Sequence, residues 1–144
     1  MTLFKKLENG IICATAEDLM DLGEAFGRLL CDGDIVALHG DLGVGKTTFT
    51  KGMGRAFRIT DSVTSPTFNI MAQYSGAMNL IHVDAYRLDR PEDLGIWEYI
   101  QHPCVIAVEW PENLVELRES ITQDIQIAVL KNEERWVTLG KSVK

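Results

Sequence analysis

Residues 35–48 read IVALHGDLGVGKTT, and this stretch decides the fold. Ile35-Val36-Ala37-Leu38 is a short unbroken apolar run, the pattern of a strand covered on both faces. From Gly40 to Thr47 the chain satisfies GxxxxGK[ST] in full. Glycines let the backbone curl so that successive N–H groups point inward, and the helix that follows adds the positive end of its dipole. That concavity suits phosphate. Lys46 would neutralise β- and γ-phosphates, and Thr47 would offer its hydroxyl to Mg2+. A turn that only joined strand to helix would need neither side chain. The stretch therefore predicts a P-loop: a strand ending at His39, a glycine turn at 40–45, and a helix from about Lys46 to Phe57.

Outward from this centre the pattern repeats. Upstream, Thr15 is placed to cap a helix whose first turn carries Glu17 and Asp18. Leu19, Leu22, Phe26, Leu29 and Leu30 recur at spacings of three and four, and Gly33 marks a stop. Gly23 and Gly27 weaken this helix by up to about 1 kcal/mol each, which points to close packing against a neighbour. Downstream, Thr67–Tyr74 and Asn79–Asp84 read as strands of a hairpin around Ser75-Gly76. A short helix is expected near Pro91. Cys104–Val108 is a second buried-strand run with Glu109 at its carboxyl end, and residues 124–139 alternate like a hairpin turning at Asn132-Glu133. The alternation predicts an α/β fold: one P-loop NTPase domain over residues 1–144, with a mixed parallel/antiparallel sheet flanked by helices.

Composition narrows the function. The 144 residues suit one domain, and 46% hydrophobic with 24% charged content is globular rather than disordered. Fourteen basic against 21 acidic residues give a net charge of −7, which disfavours unaided binding of nucleic acid. Cys13, Cys31 and Cys104 are scattered and odd in number, so neither a disulfide framework nor a zinc site is expected, and a reducing cytoplasm is. Lys5-Lys6 ahead of Ile11-Ile12-Cys13 resembles a leader, but Glu8, Asn9 and Gly10 interrupt it. No apolar run approaches the roughly 20 residues that span a bilayer.

A nucleotide site also needs carboxylates to hold a metal and position the attacking group. Asp84 and Glu109, each at a strand end, are the candidates, and spacing does not say which one touches the metal. Thr64–Thr67 is a hydroxyl-rich loop placed like a γ-phosphate switch. Arg87 can serve phosphate or carboxylate, a salt bridge being the commoner fate of an arginine. Trp97, Trp110 and Trp136 read as core or interface residues, His82 as a core histidine, and His39 and His102 as no metal-ligand pattern.

Four motifs together, GDLGVGKTT at 40–48, SPTF at 65–68, HVDAYR at 82–87 and EWP at 109–111, resemble the bacterial TsaE family in order and spacing. TsaE is the ATPase of tRNA threonylcarbamoyladenosine biosynthesis. Val44 departs toward a larger residue where only backbone meets phosphate. The resemblance implies ATP as substrate, bound by Asp41, Leu42, Gly43, Val44, Gly45, Lys46, Thr47 and Thr48, with Thr15 and Arg135 edging the adenine pocket. It implies Mg2+ near Thr47, Glu109 and Asp84, catalysis by Lys46, Asp84 and Glu109, and a switch-like loop at Ser65, Pro66 and Thr67. It also implies a TsaB–TsaD heterodimer as partner, reset between cycles, with tRNA met only through that complex. No arginine finger follows the P-loop at a recognisable spacing, so hydrolysis is expected to be weak alone and stimulated by partners. Two rivals remain: a small-metabolite kinase, for which Arg55, Arg58, Arg87 and Arg90 lack lid-like clustering, and a non-catalytic nucleotide-gated binding module. No NKxD-like motif reads guanine, and the base stays open on sequence chemistry alone.

Overall fold

The strand Ile35–His39 lies at the centre of a seven-stranded sheet, and the helix Lys46–Ala56 follows it through the glycine loop. The computed structural model describes residues 1–41, 43–64, 70–86, 88 and 93–140. Leu42, Ser65, Pro66, Thr67, Arg87, Arg90 and the helix expected at Pro91 lie outside the described residues. In chain order the elements are α1 (Leu3–Asn9), β1 (Ile11–Cys13), α2 (Ala16–Gly27), β2 (Ile35–His39), α3 (Lys46–Ala56), β3 (Met71–Tyr74) and β4 (Asn79–Asp84). Then follow β5 (Cys104–Glu109), β6 (Gln123–Val129) and β7 (Arg135–Gly140). Short 3-10 turns occupy Ile96–Tyr99 and Pro111–Asn113.

The strand order is β1-β7-β6-β2-β5-β4-β3, parallel at the centre and antiparallel toward the edges. β2 runs parallel to both β5 and β6, and β4 parallel to β5. The hairpins β3–β4 and β6–β7, and the pairing of β1 with β7, are antiparallel. Parallel strands need cover on both faces. Val36 and Leu38 enter one core with Leu7 of α1, Leu19, Leu22 and Phe26 of α2, and Phe49 and Met53 of α3. Ile35 and Ala37 face the other core, where Ile96, Leu114 and Leu117 cover Ile81, Val83, Ile106 and Val108. The mixed sheet matches the expectation. Among the described residues, however, the three α-helices all serve one face, and turns cover the other.

The glycines of α2 now have their reason. A Cβ on Gly23 would lie 2.2 Å from the Phe49 carbonyl oxygen of α3, and one on Gly52 would lie 2.0 Å from that of Met20 in α2. The two helices touch backbone to backbone. Thr15 caps α2 as expected, its hydroxyl accepting from the Asp18 N–H at 3.0 Å while Asp18 accepts from the Ala14 N–H.

One expectation needs correction. α2 stops at Gly27 rather than near Gly33; the Leu29 and Leu30 amides donate to Phe26 and Gly27 in a tightened turn. Gly33, at φ +94°, instead turns the chain into β2 and donates to the Cys104 carbonyl. The periodicity continued past the helix because Leu30 is buried from the turn, whereas Leu29 is exposed. The N-terminus also carries α1 and β1. α1 spans only seven residues, and β1 acquires its structure by pairing with β7.

Candidate nucleotide site

Every chemical group of the site sits at the carboxyl end of the central parallel strands, where open α/β sheets bind ligands. β2 leads into the phosphate loop, where glycine permits the backbone at Gly40, Gly43 and Gly45. Gly43 has φ +75° and Gly45 has φ +117°, values at which a side chain would be strained. Gly45 directly precedes α3, so its turn aims the helix N-terminus and the Lys46 side chain into the concavity.

β4 and β5 deliver the carboxylates. Asp84 and Glu109 are partners across the two strands, and Leu38 of β2 is the partner of Glu109 on its other side. A cavity of about 330 Å3 is lined by Gly43, Gly45, Lys46, Thr47, Thr48, Asp84 and Glu109. The expected lysine, hydroxyl and both strand-end acids thus converge on one space. Asp84 is half-buried and accepts from the Tyr86 N–H at 3.0 Å.

Glu109 is almost fully buried, so its charge requires partners. One oxygen, Oε1, lies 3.9 Å from Lys46 Nζ, and the other, Oε2, lies 2.8 Å from His82 Nε2. Lys46 is equally buried; it donates to the Gly40 carbonyl at 2.6 Å and sits 4.6 Å from the centre of the Trp110 ring. Trp110 adopts φ +59°, unusual for a residue with a side chain, and its ring packs on Tyr86 at 5.1 Å. From sequence, His82 reads as a core histidine and Trp110 as a core or interface residue. Their contacts with Glu109 and Lys46 cross from one strand or loop to another, and the signal for them was only that His82 shares a strand face with Asp84 and that Trp110 follows Glu109.

A second cavity, about 170 Å3, adjoins the first through Gly43, Gly45 and Thr48. Thr15, Ala16, Leu19, Cys13 and Arg135 line its far side, so the two residues expected at the edge of a base pocket do meet there. Arg135 reaches from β7 to the phosphate loop: its Nε donates to the Val44 carbonyl at 2.7 Å, and Nη1 donates to the Glu133 carbonyl at 2.6 Å. Burial, reinforced by nearby Asp18, pushes the Cys13 thiol above its ordinary pKa and keeps it neutral. Asp41 is exposed and lines neither cavity; its carbonyl accepts from the Val44 N–H.

A model of the family described as Threonylcarbamoyl adenosine biosynthesis protein TsaE matches residues 13–137. The chain belongs to the TsaE family. The tRNA threonylcarbamoyladenosine biosynthesis protein TsaE of Treponema pallidum is 36% identical over 132 residues, covering 90% of this chain and 98% of that protein. The protein of the same name from Bacillus subtilis is 45% identical over 111 residues, 74% of this chain and 68% of its own length. The crystal structure of Bacillus subtilis YdiB superposes with a TM-score of 0.74 at 31% identity, over 90% of this chain and 82% of that one. The TsaE match begins at Cys13 and therefore takes in both cavities and the terminal hairpin as far as Val137. No helix among the described residues is long and apolar enough to cross a membrane.

Proposed function

We propose that this chain is a Mg2+-dependent ATPase of tRNA threonylcarbamoyladenosine biosynthesis, acting in the cytoplasm as one domain beside a TsaB–TsaD heterodimer that it resets between cycles. The observation that carries the reading is the convergence of Lys46, Thr47, Asp84 and Glu109 on one cavity at the phosphate loop. Gly43 through Thr48 hold the phosphates by loop amides and the start of α3, and Lys46 exchanges its Gly40 contact for phosphate charge. The base lies in the adjoining cavity between Thr15 and Arg135.

Thr47, Glu109 and Asp84 are hard oxygen donors and fit Mg2+. Among the described residues no group of three or more His, Cys, Asp or Glu is arranged to hold a metal unaided. Magnesium ordinarily relies on one or two carboxylates together with substrate phosphates, so this donor set suits it. When bound, the ion neutralises charge on the β- and γ-phosphate oxygens. One of the two carboxylates orients water for attack on the γ-phosphate, while Lys46 and the loop amides stabilise the charge that develops.

The acidic balance of −7 supports contact with tRNA only through the partner proteins. Phosphate release measured with and without the TsaB–TsaD heterodimer tests the reading. Weak turnover alone and faster turnover with the heterodimer are expected, and Lys46→Ala abolishes both. ATP binding with no hydrolysis under either condition would instead identify a nucleotide-gated binding module. ADP formed only with an added metabolite would identify a kinase.

A further inference from the structure

We propose that His82 is a positioning residue, holding the Glu109 carboxylate in its working orientation rather than filling the core. In its kinetic consequences the proposal rests on the hydrolytic reading above; in its structural content it does not.

The geometry starts from strand register. His82 of β4 lies between Ala72 of β3 and Ala107 of β5, its partners on either side. Two alanines leave space for an imidazole to lean along the sheet, and Glu109 stands two residues beyond Ala107 on the same face. His82 Nε2 reaches that diagonal neighbour at 2.8 Å while the residue stays fully buried. Its other ring nitrogen, Nδ1, is buried and has no hydrogen-bond partner among the described residues. A leucine would fill this position without desolvating a ring nitrogen. What the imidazole adds over an apolar side chain is the bond to Glu109.

Glu109 is bracketed by two different kinds of partner. Lys46 approaches Oε1 at 3.9 Å, and phosphate binding recruits the same ammonium group. His82 approaches Oε2 from a strand interior and has no competing duty. With Nε2–H donating, Oε2 is committed to the imidazole and Oε1 remains toward the phosphate side. The carboxylate therefore keeps one orientation after Lys46 turns to the nucleotide. Partners that orient a functional carboxylate in this way typically matter by about 10- to 100-fold in activity or metal affinity.

The test compares three variants. Glutamine can place its amide nitrogen near the imidazole Nε2 position, whereas asparagine reproduces only the Nδ1 position. His82→Leu should lower kcat by at least about tenfold with little change in the KM for ATP. His82→Gln should recover most of that loss, and His82→Asn should not. A leucine variant with wild-type kcat, or equal activity of the glutamine and asparagine variants at matched melting temperature, overturns the proposal. If the leucine variant does not fold, the glutamine–asparagine comparison decides alone. An independent readout uses the nucleotide-free protein: 15N NMR should show His82 as the Nε2–H tautomer, with a resonance that shifts in Glu109→Gln. A Nδ1–H tautomer overturns the proposal. Wild-type protein that hydrolyses no ATP with its partners would overturn the ATPase reading, while the tautomer would still decide the His82–Glu109 link.

Discussion

Replacing Gly52 by alanine separates helix propensity from tertiary packing, because the two predict opposite signs. Gly52 lies inside α3, where alanine is intrinsically favoured by about 0.8–1.0 kcal/mol. In the folded protein its added Cβ would stand 2.0 Å from the Met20 carbonyl oxygen, 2.8 Å from the Glu24 nitrogen and 3.0 Å from the Gly23 carbonyl carbon. All three are backbone atoms of α2, so no side chain can rotate away. Restoring ordinary contact requires the helices to part by more than about 1 Å, which loosens the Phe26–Phe49 contact and the wholly buried Met53. Overpacking strain of this kind costs about 1–3 kcal/mol, and the rigid surroundings place this case at the upper end. The net loss after the propensity gain is about 2 kcal/mol. For a domain this size that lowers Tm by roughly 4–8 °C. Circular dichroism melting of the nucleotide-free protein measures it. A variant that melts at or above the wild-type temperature would refute the claim that α2 and α3 meet backbone to backbone.

Three further outcomes are expected. Glu109→Gln should retain ATP binding by calorimetry and lose at least about a hundredfold in phosphate release; near-wild-type turnover would move the water-orienting role to Asp84. Arg135→Ala removes the guanidinium from the Val44 carbonyl and should raise the KM for ATP about tenfold, equivalent to about 1.4 kcal/mol, with a smaller effect on kcat. An unchanged KM would show that the phosphate loop holds its shape without the hairpin. Asp32 accepts from His102 Nδ1 at 2.7 Å, and that bond, with the Cys104 N–H, holds its carboxyl below the ordinary value of 3.8. A depressed folded pKa contributes stability that is complete above the ordinary value and disappears as pH falls through the lower one. Asp32→Ala should therefore melt below wild type at pH 7, with the gap closing in acid below pH 3.8; a gap independent of pH would refute the linkage.

Much of the fold was legible wherever a local pattern was strong. The unbroken apolar runs at 35–38 and 104–108 became the central parallel pair, and the Thr15 cap and the glycines of the phosphate loop behaved as their chemistry requires. The hairpins at 71–84 and 123–140 were recognisable from alternation and turn residues. Legibility failed where structure depended on distant partners. β1 is three residues long and exists through β7, more than a hundred residues away. The end of α2 was misread because Leu30 is buried from a turn, and burial alone prolongs an apolar pattern past the last helical hydrogen bond.

By itself the sequence determined which chemical groups are present and what the loop between β2 and α3 does, since glycine conformational freedom, an ammonium group and a hydroxyl at set spacing are local properties. It also determined the kind of sheet, because periodicity and run length report how many faces of a strand are covered. Only the tertiary structure decided how these groups are paired. His82 meets Glu109 across 27 residues of chain, and Arg135 meets the Val44 carbonyl across 91. Those contacts depend on strand order and register, which are set by long-range packing and leave no periodic trace in either partner's own neighbourhood.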